Sequence, residues 1–192
     1  MLSMLTSAPT LEPVSLNEIR DDLRLETGED LLLSTLITSA RLVIEAQTGC
    51  RLITQNWDLL FDDWPDETVE AGCLTLPHYP IKLLKGIYLL GNARQEVSSE
   101  IYQSELGIRT PKVFLKNGNS WPLPFRKKLG VLISVTAGFG DQANDVPEPL
   151  RLAIRQLVSF WYDQADWNVL RHSHLIPDSV KILMQPYRNM HL

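Results

Sequence analysis

Six carboxylates, Asp58, Asp62, Asp63, Asp66, Glu67 and Glu70, fall within one short stretch of the chain. Carboxylates so close in sequence can hold Mg²⁺ or share acid–base work. A small metal-dependent hydrolase built on them would recruit His78 or His172. No ligand pattern flanks the cluster, so a solvated acidic edge and turn is the expected reading. His172-Ser173-His174 offers two imidazoles two positions apart. They could chelate only from an extended backbone, and a third ligand would have to come from elsewhere. Serine nucleophiles have no frame: Gly-x-Ser-x-Gly does not occur, and Ser120 before Trp121-Pro122 has no motif partner. Cys50 and Cys73 form no Cys-x-x-Cys and read as small apolar residues of a reducing compartment.

Gly138 to Ala143 spells G-x-G-x-x-A, the outline of a dinucleotide loop. Such a loop needs a helix starting at the glycines, so that its amides face the phosphates. Here Asn144 to Pro147 intervene, Pro147 and Pro149 each lack an N–H, and Asp141 and Asp145 add negative charge. The stretch is therefore expected to be a connector. Gly138 and Gly140 can take positive φ, while Asp145 and Glu148 stand three apart, as a capping box for the next helix requires. No cofactor or metal is expected.

Basic residues are few. Arg126, Lys127 and Lys128 make one cluster, and Arg151 and Arg155 lie one helical turn apart. A DNA-binding packaging factor would use these five. The formal net charge of −5 weighs against a protein whose work is gripping phosphates.

The elements that must position these residues follow from periodicity and punctuation. With 44% hydrophobic and 21% charged residues, the chain has the balance of an ordinary folded domain. The opening MLSMLTSAPT has no basic leader, and no apolar run approaches membrane-spanning length, so a protein that is cytosolic or assembled from the cytosol is expected. Ser15 and Glu18 have capping-box form, and the helix they start is expected to break at Gly28. Asp30 can cap the next, where Leu33, Leu36, Ile37, Ala40, Val43 and Ile44 recur at helical spacing and Gly49 closes it. From residue 51 the pattern turns to short β-type runs, ending in GVLISVTAG as a central strand. Leu150, Ile154, Leu157, Val158 and Trp161 give a further helical stripe, and a last short helix runs from Pro177 to about Gln185.

Helices, strands, then helices again give an α+β fold: a small bundle of two N-terminal and two C-terminal helices with a β-rich middle of short, mainly antiparallel strands. The expected organisation is an extended arm over 1–14 and one domain over 15–188, helical at 15–50, β-rich at 51–138 and helical at 147–188. Residues 189–192 form a tail. The aromatics Trp121, Trp161, Tyr162 and Trp167 are expected mostly in the core, some as interface anchors.

Several stretches, in order, resemble the head–tail connector (adaptor) proteins of tailed bacteriophages, including prophage and gene transfer agent versions. TAGFGD…VPEPLRLAIRQLVSFWYD is similar to that family's strand end leading through Val-Pro-x-Pro-(Ile/Leu)-Arg to a helix ending near Trp-Tyr. PVSLNEIRDDLRL and LITSARLVIEAQTGCRLITQNWDL resemble its front end, with Glu45, Thr48 and Gly49 in place and Cys50 intruding before Arg51. Gly118-x-Ser120-Trp121-Pro122 resembles a Gly-x-x-Trp-Pro loop, and PDSVKILMQPYR the family's closing segment.

The resemblance implies a non-enzymatic assembly protein of the virion or phage-like particle, assembled in the bacterial cytoplasm. Many copies, commonly twelve, would ring the portal protein's exit, extend the DNA channel and dock the next tail component. DNA would pass without sequence recognition. The portal-docking segment would carry Pro177, Val180, Leu183, Met184, Tyr187 and Arg188. The six acids would face the channel or a neighbouring subunit, and Arg126, Lys127, Lys128, Arg151 and Arg155 would meet neighbours.

Overall fold

The computed structural model describes residues 1–107, 109–163 and 176–188, without the Glu67 side chain. The chain gathers into two compact units. Unit 1 is Met1–Pro9 with Thr54–Gly138, and unit 2 is Thr10–Ile53 with Phe139–Leu192. The fold is α+β, with helices and antiparallel sheets among the described residues.

Unit 1 is built on two sheets. The larger has strand order β1-β2-β8-β4-β5, formed by β1 (Leu2–Ser7), β2 (Gln55–Phe61), β8 (Val131–Ala137), β4 (Ile81–Leu90) and β5 (Arg94–Glu96). The smaller has order β3-β7-β6, formed by β3 (Cys73–Thr75), β7 (Lys112–Leu115) and β6 (Tyr102–Glu105). Every pairing within them is antiparallel. β8 is central, as its β-branched run suggests. Val131, Ile133 and Val135 join Leu59, Phe61, Ile87 and Leu89 in the core. The start of the expected arm is an edge strand: Leu2 stands opposite Leu60 and Leu5 opposite Trp57.

Within the acidic stretch, expected as a solvated edge and turn, residues 66–71 form a short helix, α3 (Asp66–Ala71). Pro65 stands at its N-cap, and the Pro65 carbonyl accepts the N–H groups of Thr68 and Val69. Gly72, at φ 63, ends it in the left-handed region that a glycine enters without a Cβ clash.

Unit 2 is helical: α1 (Leu16–Leu23), α2 (Asp30–Thr48), α4 (Glu148–Asp163) and α5 (Asp178–Met184). At α1, Ser15 and Glu18 make the full reciprocal capping box. The helix stops before Gly28, because Arg24 turns into the left-handed region (φ 57) and its N–H reaches back to the Arg20 and Asp21 carbonyls. Asp30 lies inside α2 rather than capping it. Glu29 is the N-cap and makes no side-chain cap bond, while the Asp30 carboxylate pairs with Arg20. Gly49 closes α2 at φ 81, its N–H bonded to the Glu45 carbonyl. Leu33, Ile37, Ala40 and Ile44 of α2, Leu150, Ile154 and Leu157 of α4, and Val180 and Met184 of α5 are buried.

Candidate docking surfaces

The five acids whose side chains are described do not converge. Asp58 accepts the Ser134 hydroxyl at 2.6 Å from the neighbouring strand. Asp62 accepts the Leu129 N–H at 2.9 Å, and its backbone carbonyl accepts the Gly130 N–H. Asp63 accepts the N–H of Trp64 at 2.7 Å. Asp66 and Glu70 are exposed on α3. Among the described residues no group of three or more His, Cys, Asp or Glu is placed to hold a metal ion. His78 is buried with its ring centroid 4.5 Å from that of Trp57. His172, His174, Trp167 and the tail at 189–192 lie outside the described residues, as does the Glu67 side chain.

The glycine-rich stretch is a connector, with two differences in detail. Gly138 has φ 142, but Gly140 does not need the left-handed region. Its constraint is space: a Cβ there would lie 2.0 Å from the Asp145 carboxylate. That carboxylate caps the short 3-10 turn Ala143–Asp145 by accepting the Gln142 N–H at 2.9 Å, so it does not cap α4. The anion that this loop cradles is the chain's own Asp145 carboxylate.

Arg151 and Arg155 are engaged within unit 2. Arg151 meets Glu18 at 2.6 Å and Glu148 at 2.8 Å, and its Nε donates to the Pro13 carbonyl at 3.0 Å. Arg155 forks onto Asp22, with Nε 2.6 Å from one carboxylate oxygen and Nη2 on the other. The Arg155 hydrogen bond holds Asp22 below its ordinary pKa, and the same bond raises Arg155. Partial burial pushes Glu18 up, yet the Ser15 N–H and hydroxyl and the charges of Arg151 and Arg155 prevail and lower it. These pairs tie α1 to α4. A second group, invisible to motif reading, centres on buried Arg41, which meets Glu12 at 2.7 Å and Glu45 at 3.4 Å. The i,i+4 spacing of Arg41 and Glu45 was the available signal; Glu12 belongs to the segment before α1 and gave none.

Arg126 donates Nε and Nη2 to the Leu129 carbonyl at 3.0 and 2.8 Å, leaving Lys127 and Lys128 exposed. The loop leading there is anchored by Trp121 stacked on Trp64 at 4.3 Å and by Trp64 Nε1 donating to the Pro122 carbonyl at 2.8 Å. It presents Leu123 (84% exposed) and Phe125 (58%) beside the lysines, an apolar tip that the basic cluster alone did not reveal.

In the C-terminal segment, Val180 and Met184 are buried. Leu183 and Tyr187 are half-buried, and Pro177 stands at the N-cap of α5. Arg188 donates to the Gln47 carbonyl at 3.3 Å and to its side-chain oxygen at 3.0 Å. Cys50 is buried, Cys73 is half-buried and neither forms a disulfide. No described helix is long and apolar enough to cross a membrane.

No protein-family model matches the chain, and no curated protein sequence does. Solved structures do. A chain in the neck of an empty GTA particle, computed with C6 symmetry, superposes with a TM-score of 0.80 at 25% identity over 100% of this chain and 97% of that one. A chain of the virion of a native gene transfer agent (GTA) particle gives 0.80 at 24% identity, again over 100% and 97%. A chain of the neck of a native GTA particle, computed with C12 symmetry, gives 0.78 at 23% over the same shares.

Proposed function

We propose that this chain is a structural component of the neck of a tailed phage or phage-like particle, a head–tail connector without enzymatic activity. The observation that carries the reading is the likeness along the entire chain to a GTA neck chain, at a TM-score of 0.80. The C6 and C12 symmetry of the neck structures favours a homo-oligomeric ring. In this reading many copies surround the DNA path below the portal and offer a surface to the next tail component.

The segment Pro177 to Arg188 docks the portal. Val180 and Met184 fix it from inside, while Leu183, Tyr187 and Arg188 bear on the partner beside the exposed Ile182. Asp66 and Glu70 remain available to the channel or a neighbour, as do Lys127 and Lys128. Asp58, Asp62, Arg151 and Arg155 already serve the fold, so their part in assembly is indirect. The internal pairing of the two arginines also removes two cations from the rival DNA-binding reading.

The test is to mix the purified chain with the portal encoded beside it and to measure mass and negative-stain shape, with the chain alone as control. A ring coaxial with the portal, lost on deleting residues 177–192, is the expected result. No association at any salt or concentration refutes the role.

A further inference from the structure

β1 is the one part of unit 1 that the chain delivers from elsewhere. Every other described element of unit 1 lies in the continuous run Thr54–Gly138, whereas β1 stands at the N-terminus and the chain then passes into unit 2 at Thr10. From Glu12 onward that chain is pinned to unit 2. Glu12 accepts from Arg41 at 2.7 Å and from the Thr38 hydroxyl at 2.9 Å, the Pro13 carbonyl accepts from Arg151, and Val14 is buried. Residues 8–11 link the two attachments, and Pro9 holds Ala8 to an extended backbone.

The strand is also lightly held. It hangs on β2 by main-chain pairing, from Leu2 opposite Leu60 to Leu5 opposite Trp57, and the register slips between Leu5 and Ser7. None of its side chains is buried: Leu2 is 48% exposed, Met4 49% and Leu5 46%. Its outer edge pairs with no described strand. Natural sheets protect such an edge with charges, a proline, a bulge or a cover. β1 carries no charge and no proline, and its one irregularity lies at the end next to the link. Its first residues therefore depend on a cover.

We propose that in the assembled ring β1 of each copy pairs with β2 of the adjacent copy, in the register that a single chain makes with itself. The proposal rests on the ring reading above. Its occupant is drawn from a pairing the fold already makes: a β1 strand fits the edge of β2, and a second copy supplies an identical one. Exchange therefore loses no ladder hydrogen bond. A free chain favours its own strand, which is tethered nearby, but ring contacts tether the neighbour's strand as well. The link from Ser7 to Glu12 spans at most roughly 18 Å at about 3.6 Å per residue, so only an adjacent copy is within reach. An exchanged strand lies on the subunit boundary, where the neighbour covers its uncharged edge and its apolar side chains. Each copy gives one strand and takes one, a heterologous contact that propagates until a rotation closes it.

The experiment puts cysteines at paired positions, Met4→Cys with Asp58→Cys in one chain, and repeats the design with Ser7→Cys and Asn56→Cys. The full chain is co-expressed with the portal encoded beside it, oxidised with copper phenanthroline and run on a non-reducing gel. A circular dichroism melt in reductant confirms that each variant folds, and the single substitutions, which retain Cys50 and Cys73, set the background. Exchange gives a ladder of linked chains up to the full ring. Co-expressed Met4→Cys chains and Asp58→Cys chains should give linked pairs and nothing larger, since each chain then carries one member of the pair. Chains that close on themselves as monomers overturn the exchange, as does the absence of a disulfide at both positions. Whether the unaltered chain forms a ring on the portal is read separately by negative stain, so failure of the exchange and failure of the neck role give different results.

Discussion

Asp145 and Gly140 show how one carboxylate can decide a neighbour's identity. The carboxylate folds back over the turn to take the Gln142 N–H, and it fills the space where a side chain at 140 would begin. Gly140→Ala should therefore destabilise unit 2 by about 1–3 kcal/mol, the range for overpacking a filled site, read as a lower urea midpoint at unchanged slope. A similar dependence on one partner holds for Asp22. Its folded pKa lies below the ordinary 3.8, so its contribution to stability is complete above that value and disappears as the pH falls through the lowered one. Asp22→Asn should leave Arg155 without its fork and flatten the acid side of the stability profile, measured by denaturant titration between about pH 5 and pH 2, the span over which a lowered carboxylate titrates. An unchanged acid limb would show that the pair contributes nothing net, as exposed ion pairs often do.

Among the elements, β1 and α1 make the sharpest tests. β1 covers an edge of β2 with an uncharged strand, and removing residues 1–7 leaves the N–H and C=O groups of Gln55–Phe61 open on that side. Exposed edges pair with other chains, so the truncated protein should aggregate at concentrations where the intact one stays dispersed, and its β2 amides should exchange faster with deuterium. The α1 capping box is local and separable: Ser15→Ala should cost about 0.5–2 kcal/mol, the usual range for a lost N-cap, in thermal or urea unfolding. α3 shows the limit of reading such elements in advance. Its six residues are too few to display a period, and their acids suggested a solvated edge and turn, whereas Pro65 and Gly72 bracket a turn of helix.

For the whole molecule, charge and symmetry set the expectations. A net charge of −5 and two internally paired arginines leave little to hold DNA phosphates. The free chain should show no salt-dependent retention of duplex DNA, measured by fluorescence anisotropy from low to physiological salt; a slope of several phosphates would revive the packaging-factor reading. The neck role itself stands or falls on co-assembly with the portal. The likeness to GTA neck chains covers the full length at only 25% identity, which is the pattern expected when packing is kept while most side chains drift.

Much of this architecture is written locally along the chain. The amphipathic stripes of α2 and α4, the Ser15–Glu18 box, the stop at Gly49 and the β-branched run of β8 each depend on neighbours a few positions away, so a linear reading captures them. The α+β class follows from their order. Contacts across long separations are different, because they depend on which chain closures the whole fold makes favourable. No spacing announces that Asp22 meets Arg155, that Glu12 reaches Arg41, or that β8 lies between β2 and β4. Nor could it say that Arg41 and Glu45 of α2 are buried while Leu31 and Leu42 stay exposed. Periodicity finds the face that is apolar, while burial by other elements decides which side chains lose contact with water.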